Sequence, residues 1–161
     1  METMKILFII VTYNNQSIID KTMQSILNQE YDNYKINIID NNSIDKDYIQ
    51  KYQNNPRIEL LFLNDNLGYC GGNNIGIEKS IDESGLLIIM NPDIVLPKTF
   101  CIDLISLTKK LSIQKLEFGV IGPKLLKMES SRASSLIDSA GIFQTWYGKW
   151  YDRGQNSIDD G

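Results

Sequence analysis

The stretch KILFIIV, Lys5–Val11, followed by TYNN, Thr12–Asn15, decides the fold. Its apolar run, unbroken from residue 6 to residue 11, is typical of a strand buried on both faces. The run is far shorter than the roughly 20 apolar residues that cross a membrane. Strands buried in this way occur in parallel sheets covered by helices, so we expect an α/β fold.

Strand-like and helix-like segments alternate outward from this stretch. The alternation predicts a mainly parallel, Rossmann-like sheet with helices on both faces. The predicted strands are Lys5–Val11, Tyr34–Asp40, Ile58–Leu63 and Leu86–Met90, and the predicted helices are Ser17–Asn28, Asp45–Tyr52, Asn73–Ser84 and Thr99–Leu111. Short strands are also expected at Val120-Ile121, Ala140–Trp146 and Lys149–Tyr151.

Polar residues collect where each predicted strand ends. The ends of the first two strands carry Thr12–Asn15 and Asp40–Ser43, and the third and fourth strands are followed by Asn64–Asn66 and Asn91–Asp93. Parallel α/β sheets bind ligands outside the carboxyl ends of their strands. The four clusters are therefore expected to converge on one crevice.

Composition excludes several classes of protein. Hydrophobic residues make up 42% of the 161 residues, which is enough for one globular domain. The net charge of -4 argues against a nucleic-acid partner. The chain has no histidine, so any catalysis must rest on carboxylates, amides, hydroxyls or an oxygen-held metal.

Two cysteines, Cys70 and Cys101, are too few for a disulfide framework or a zinc knuckle. The residues Met1–Lys5 lead directly into a strand-like segment without a cleavage signal. We therefore expect a cytoplasmic protein.

The glycine-rich run Gly68–Asn74 precedes the third predicted helix. Glycines at such a position let backbone N–H groups approach a phosphate. The alternative is a flexible turn with a glycine cap. Neither the dinucleotide fingerprint nor the phosphate-loop pattern is present, which argues against a dinucleotide oxidoreductase.

Asn91-Pro92-Asp93 follows the fourth strand and presents a carboxylate from a stiff turn. One carboxylate together with substrate phosphate oxygens is the usual way to hold Mg²⁺ or Mn²⁺. The alternative is an Asx turn that only closes the strand. Asp40 suits the imide N–H of a uracil or thymine base, or a ribose hydroxyl, and alternatively caps the following helix.

Aromatic residues crowd the end of the chain, at Trp146, Tyr147, Trp150 and Tyr151. Aromatic clusters with glycine suit a sugar platform or a lid, although they more often belong to a core or an interface.

These motifs together resemble the family 2 glycosyltransferases, an inverting group with a GT-A type fold. The resemblance is carried by Val11–Asn14, Ile38–Ser43 with Asp45, Asn66–Gly76 and Met90–Asp93, and it covers about residues 4–126. Gly122–Leu126 and Asp138–Gly141 further resemble the rhamnosyltransferase-like branch of that family.

The resemblance implies a nucleotide site with a divalent metal, Mg²⁺ or Mn²⁺. Thr12, Tyr13 and Asp40 would hold the base, and Gly71, Gly72 and Asn73 would lie against the ribose or diphosphate. Asn91 stands where the family has an acidic residue, which leaves Asp93 as the metal ligand. The implied nucleotide-binding residues are Thr12, Tyr13, Asn14, Asp40, Asn42, Ser43, Gly71, Gly72, Asn73, Asn91 and Asp93.

The resemblance also implies transfer of a sugar from a UDP- or dTDP-sugar donor to a saccharide or lipid-linked acceptor in bacterial surface polysaccharide synthesis. We expect residues 1–126 to bind the donor and residues 127–161 to begin a truncated acceptor-side region, with the catalytic base unassigned. The full-length protein would then associate peripherally with a membrane. The alternatives are a non-catalytic nucleotide-sugar-binding module and a purely structural partner-binding domain.

Overall fold

The computed structural model describes residues 4–81, 83, 85–117, 119–129 and 132–160. The chain divides into two compact units, Met1–Gln114 and Lys115–Gly161. The predicted boundary after residue 126 lies further along the chain, inside a strand of the second unit. The predicted helix end at Ser84 lies outside the described residues.

The first unit is built on a parallel sheet. Its strands are β1 (Ile6–Thr12), β2 (Tyr34–Asp40), β3 (Ile58–Phe62) and β4 (Leu86–Met90). They lie in the order β3-β2-β1-β4, and every neighbouring pair is parallel. The predicted parallel α/β architecture is therefore confirmed.

Helices cover both faces of this sheet. They are α1 (Ile19–Leu27), α2 (Asp47–Gln50), α3 (Gly68–Ser80) and α4 (Phe100–Ile113). Among the described residues, no helix combines the length and the apolar character that crossing a bilayer requires.

The larger part of the core lies on the face covered by α1, α2 and α4. Phe8 and Ile36 of the sheet are fully buried there, and they pack with Met23 of α1, Ile49 of α2 and Cys101 of α4. Each fully buried aliphatic or aromatic side chain contributes about 1.5–3 kcal/mol relative to an exposed one. This face therefore supplies most of the stabilisation of the first unit.

The opposite face is covered by α3, which approaches the sheet closely because two of its residues lack side chains. A Cβ built on Gly72 would lie 2.8 Å from Cγ1 of Val11, and one on Gly76 would lie 2.7 Å from Cγ2 of Ile9. These separations are shorter than carbon–carbon contact distances. Helix α3 begins at Gly68 and not at the predicted Asn73, so the glycines belong to a packed helix.

Strand β4 is buried on one face only, although its apolar sequence predicts burial on both. Leu86 and Ile88 pack against the larger core, whereas Leu87 and Ile89 are 41% and 44% exposed. The apolar sequence of β4 therefore does not show that one face of this strand is left uncovered by a helix.

The second unit consists of antiparallel strand pairs. Strands β5 (Leu125–Glu129) and β6 (Arg132–Ser139) form one pair, and β7 (Ile142–Gln144) and β8 (Trp150–Asp152) form another. Strands β7 and β8 overlap the predicted strands Ala140–Trp146 and Lys149–Tyr151. The predicted strand at Val120-Ile121 is wrong, since these residues form no strand and Val120 is 90% exposed.

Candidate functional site

The carboxyl ends of β1 and β2 lie side by side. Thr12 pairs with Asp40 in the parallel register, so the last residues of the two strands are neighbours. The backbone N–H of Asn41 then donates to the carbonyl of Thr12 over 2.8 Å. Two of the predicted polar clusters therefore meet, as expected from strands that end at one edge of a sheet.

The Tyr48 hydroxyl, on α2, joins these strand ends through buried hydrogen bonds. It lies 2.9 Å from Oγ1 of Thr12 and 3.0 Å from Oγ of Ser43. It also donates to Oδ1 of Asp40 over 3.4 Å. Since buried polar groups need partners, this cluster fixes the two strand ends relative to each other.

Asp40 is fully buried, and its carboxylate is engaged from within the chain. Besides the contact with Tyr48, its Oδ2 accepts a 3.1 Å hydrogen bond from the backbone N–H of Ser43. These hydrogen bonds position the loop after β2. The contact between Asp40 and the imide of a base stays a prediction.

Asn14 connects the loops after β1 and β2. Its backbone N–H donates to Oγ of Ser43 over 2.9 Å, and its Oδ1 accepts from the N–H of Ile44 over 3.0 Å. Asn14 and Asn42 both have positive φ, at 53° and 66°. Asparagine tolerates this left-handed conformation better than most residues, which explains its presence at both turns.

Asn41, which is not among the predicted site residues, links the start of α3 to the end of β2 by hydrogen bonds. Its Nδ2 donates to Oδ1 of Asn66 over 2.7 Å and to the carbonyl of Gly68 over 3.1 Å. Its Oδ1 accepts from the N–H of Leu67 over 2.9 Å. The third polar cluster is thus also joined to the first two.

The glycine-rich segment forms the first turns of α3, and its contact with a ribose or diphosphate stays a prediction. Gly72 is buried beneath Val11. Gly71 is half-buried in the first turn of α3. Asn73 is buried with its Nδ2 donating to the carbonyl of Tyr69, while its Oδ1 has no hydrogen-bond partner within the described chain.

Asn91-Pro92-Asp93 forms a turn after β4 that α1 holds in place. The N–H of Ile94 donates to the carbonyl of Asn91 over 3.4 Å, and Oγ1 of Thr22 donates to the carbonyl of Pro92 over 2.7 Å. Asn91 and Asp93 are both exposed. The turn therefore presents an amide and a carboxylate to solvent from a fixed backbone.

A divalent metal fits this turn only if other groups complete its coordination. Within residues that the structure describes, no three or more Asp, Glu or Cys side chains lie together as a metal cage would require. The exposed carboxylate of Asp93 fits an ion that takes its remaining ligands from phosphate oxygens and water.

The predicted residues thus divide into two groups. A buried group comprises Thr12, Asp40, Ser43, Gly72 and Asn73, and an exposed group comprises Tyr13, Asn42, Asn91 and Asp93, with Asn14 and Gly71 half-buried. Sequence reasoning missed Tyr48 and Asn41. Tyr48 lies in a predicted helix, where an aromatic residue indicates core packing. Asn41 lies within the motif Ile38–Ser43, directly after β2, and that position could have indicated a role at the site.

A parallel sheet with polar loops at the carboxyl ends of its strands is the architecture of a nucleotide-binding α/β protein. The family model for Glycosyl transferase family 2 matches residues 7–115. Because this match covers more than half of the chain, the chain belongs to the family 2 glycosyltransferases. The resemblance inferred from the motifs is confirmed, while the rhamnosyltransferase-like branch stays a prediction.

Solved structures share this fold. S. aureus TarS 1-349 in complex with UDP is 20% identical, with a TM-score of 0.61 over 68% of this chain and 33% of that chain. Its complex with UDP-GlcNAc has a TM-score of 0.60 at the same identity, covering 68% of this chain and 32% of that chain. The mannosyltransferase PcManGT from Pyrobaculum calidifontis, in complex with GDP-Man and Mn²⁺, is 17% identical, with a TM-score of 0.53 over 60% of this chain and 29% of that chain.

This chain therefore spans about a third of the length of these structures. At such identities the likeness is one of fold. Comparison of the sequence with curated proteins gave no match.

Proposed function

We propose that this chain is the donor-binding part of a glycosyltransferase that uses a nucleotide-diphosphate sugar, with UDP or dTDP as the nucleotide. The observation that supports the proposal is the set of exposed side chains beside the buried Tyr48 cluster, at the carboxyl edge of the sheet, where parallel α/β sheets bind ligands. The family match supports the same reaction class.

In this proposal the exposed residues touch the nucleotide and the buried ones hold them in place. Tyr13 is 45% exposed and offers an aromatic face against which a base can stack. Asn42 offers an amide that can both donate and accept hydrogen bonds to the base or ribose. Thr12, Asn14 and Ser43 maintain the loops that carry these two side chains.

Asp93 is the proposed metal ligand, with Asn91 beside it as a neutral hydrogen-bonding group. A bound Mg²⁺ or Mn²⁺ would neutralise charge on the leaving diphosphate. The carbonyl of Pro92, held by Thr22, keeps the turn in one conformation. The carboxylate of Asp93 consequently needs little reorganisation to meet a ligand.

The remaining parts of the proposal concern the complete enzyme. An acceptor hydroxyl on a saccharide or lipid-linked acceptor would be deprotonated by a carboxylate and would attack the anomeric carbon with inversion. The setting proposed is bacterial surface polysaccharide synthesis, in the cytoplasm at the inner face of the membrane. Rhamnosyl transfer is the proposed specificity, supported by the resemblance of Gly122–Leu126 and Asp138–Gly141.

Calorimetric titration tests the donor site. We expect UDP or dTDP to bind the chain more tightly with Mn²⁺ than without it, and Asp93→Ala to weaken the metal-assisted binding at least tenfold. Glu78→Ala is the matched control, since it removes an exposed carboxylate on α3 and should leave binding unchanged. GDP serves as a comparison nucleotide.

Two results would contradict the proposal. One is a folded chain that binds none of the three nucleotides with or without metal. The other is equal loss of metal-assisted binding in the Asp93 and Glu78 variants, because a general charge effect would then explain it. Donor turnover by a protein that also contains an acceptor-side region would distinguish an enzyme from a nucleotide-sugar-binding module.

A further inference from the structure

The hairpin formed by β7 and β8 carries large aromatic side chains at its turn. Trp146 and Tyr147 occupy the central positions of that turn and are 96% and 63% exposed. Lys149 and Trp150 follow directly, and Trp150 is 64% exposed. We call Trp146, Tyr147, Lys149 and Trp150 the aromatic tip.

The turn itself does not need these aromatic residues. It is closed by hydrogen bonds from the N–H of Thr145 to the carbonyl of Lys149, over 2.8 Å, and from the N–H of Gly148 to the carbonyl of Thr145, over 3.0 Å. Gly148 supplies the positive φ of 89°. Central turn positions ordinarily favour proline, aspartate, asparagine, serine or glycine. The two aromatic residues at these positions are exposed, so they add no buried apolar surface to the fold.

The aromatic tip is presented rigidly. The side-chain Oγ1 of Thr145 accepts a further hydrogen bond, of 2.9 Å, from the N–H of Lys149. Behind the turn, Phe143 and Tyr151 are directly paired across the strands, with ring centroids 6.4 Å apart. Exposed aromatics on a braced turn indicate a contact with something outside this unit.

The aromatic rings of the tip do not lie in one plane. The Trp146 and Tyr147 rings stand at 89° to each other with centroids 5.5 Å apart, so together they form a wedge. Tryptophan and tyrosine with a neighbouring lysine are the residue types that concentrate at the membrane–water interface.

The charge around the aromatic tip also favours a membrane surface. The ten residues from Ile142 to Tyr151 contain Lys149 and no acidic residue. By contrast, the whole chain has 20 acidic and 16 basic residues, a net charge of -4. The aromatic tip itself therefore contains no acidic residue; Asp152, the nearest one along the chain, ends β8 and is followed by Arg153. Lys149 would favour an anionic surface.

We propose that the aromatic tip inserts into the headgroup region of a phospholipid membrane that contains anionic lipid. Trp146 and Tyr147 bury their rings at the level of the headgroups, and Lys149 pairs with lipid phosphate. This binding requires neither a nucleotide nor a metal, so it is independent of the proposed donor site.

The chain provides its own reporter, because its two tryptophans, Trp146 and Trp150, both lie on the hairpin. The full chain is titrated with phosphatidylcholine vesicles containing about 30% phosphatidylglycerol. We expect a blue shift of tryptophan emission, and quenching when brominated lipids are used. Co-sedimentation of the protein with the vesicles gives the partition coefficient.

Three variants separate the contributions of the aromatic rings and of Lys149 to membrane partitioning. Trp146→Ser/Tyr147→Asn places good turn formers at the apex, so the hairpin should persist, while partitioning should fall at least about tenfold. Lys149→Gln should lower partitioning about fivefold, and only on anionic vesicles. Val120→Ser is the matched control, since it removes an equally exposed apolar side chain of the same unit and should change nothing.

Other outcomes would overturn the proposal. Unchanged emission in the presence of vesicles excludes insertion. A blue shift produced by soluble oligosaccharides without lipid would assign the aromatic tip to a saccharide. Dimerisation in sedimentation velocity that Trp146→Ser/Tyr147→Asn abolishes would assign it to a second copy of the chain.

Discussion

The substitution Gly72→Ala tests whether α3 lies close to the sheet because residue 72 has no side chain. The added Cβ would lie 2.8 Å from Cγ1 and 3.0 Å from Cγ2 of Val11. Favourable carbon–carbon contacts are about 3.5–4.0 Å, so either α3 or Val11 must move by roughly 0.5–1 Å. Val11 is buried and β-branched, and it therefore cannot turn aside easily.

Two opposing effects determine how much Gly72→Ala changes the free energy of unfolding. Overpacking a close contact costs about 1–3 kcal/mol, whereas replacing glycine by alanine inside a helix contributes about 1 kcal/mol of stability. We expect Gly72→Ala to lower the free energy of unfolding by about 1 kcal/mol. Asn74→Ala, at an exposed position of the same helix, should instead raise it by about 0.5 kcal/mol.

A double-mutant cycle with Val11→Ala identifies the cause. Val11→Ala removes both clashing methyl groups and should by itself cost about 2 kcal/mol, from lost burial and a small cavity. In that background Gly72→Ala keeps its helical benefit without the clash, so it should stabilise the chain by about 1 kcal/mol. Urea unfolding followed by circular dichroism measures all four proteins. A Gly72→Ala effect with the same sign and size in both backgrounds would refute the packing argument.

Further predictions concern buried and titrating groups. Tyr48→Phe should lower the free energy of unfolding by about 1–3 kcal/mol, because it leaves buried oxygens without their partner; an unchanged urea midpoint would contradict this. Burial raises the pKa of the Cys101 thiol to about 11. A disulfide reagent at pH 8 should therefore label exposed Cys70 in the native chain and Cys101 only after unfolding, whereas two equally fast thiols would speak against the buried site. The hydrogen bond from Lys51 holds the pKa of Asp20 below its ordinary value. The stabilisation from Asp20 is then complete above about pH 4 and is lost as the pH falls through the native pKa, so Asp20→Asn should reduce the acid dependence of unfolding measured from pH 6 to pH 3.

The sheet could be predicted closely because each of its strands is a short, mainly apolar run, which leaves a strong local signal. The predicted bounds of β2 and β4 coincide with the observed ones, Tyr34–Asp40 and Leu86–Met90. Polar or turn-forming residues immediately follow each run, which marks the carboxyl end of the strand. The convergence of the clusters after β1, β2 and β3 then followed from the parallel architecture.

The start of α3 could not be predicted, since glycine gives contrary local signals. Gly68, Gly71 and Gly72 weaken a helix by their intrinsic propensity, so a local reading favours a loop. The absence of side chains at Gly71 and Gly72 matters only against Leu67 and Val11, and residue 11 lies far away in the sequence. A tertiary contact therefore outweighs the local preference.

The polar motif residues show a second limit of prediction from the sequence. Sequence order places Thr12, Asp40, Asn42 and Asp93 at the same edge, but it does not tell which of them face solvent. Asp40 is enclosed by Tyr48 and the N–H of Ser43, whereas Asn42 and Asp93 are exposed. Burial of a carboxylate costs several kcal/mol unless it is hydrogen-bonded, so the enclosed one requires its neighbours to stay in place.

This division implies that motif residues should separate in experiments on stability and on binding. Substitution of Asp40 or Thr12 should unfold the strand ends and remove ligand binding as a consequence. Substitution of Asn42 or Asp93 should leave the unfolding curve unchanged and alter only the affinity for a nucleotide. A loss of binding is therefore informative about contact with the ligand only where the free energy of unfolding is preserved. By that criterion, Asn42 and Asp93 are residues whose substitution tests the proposed donor site.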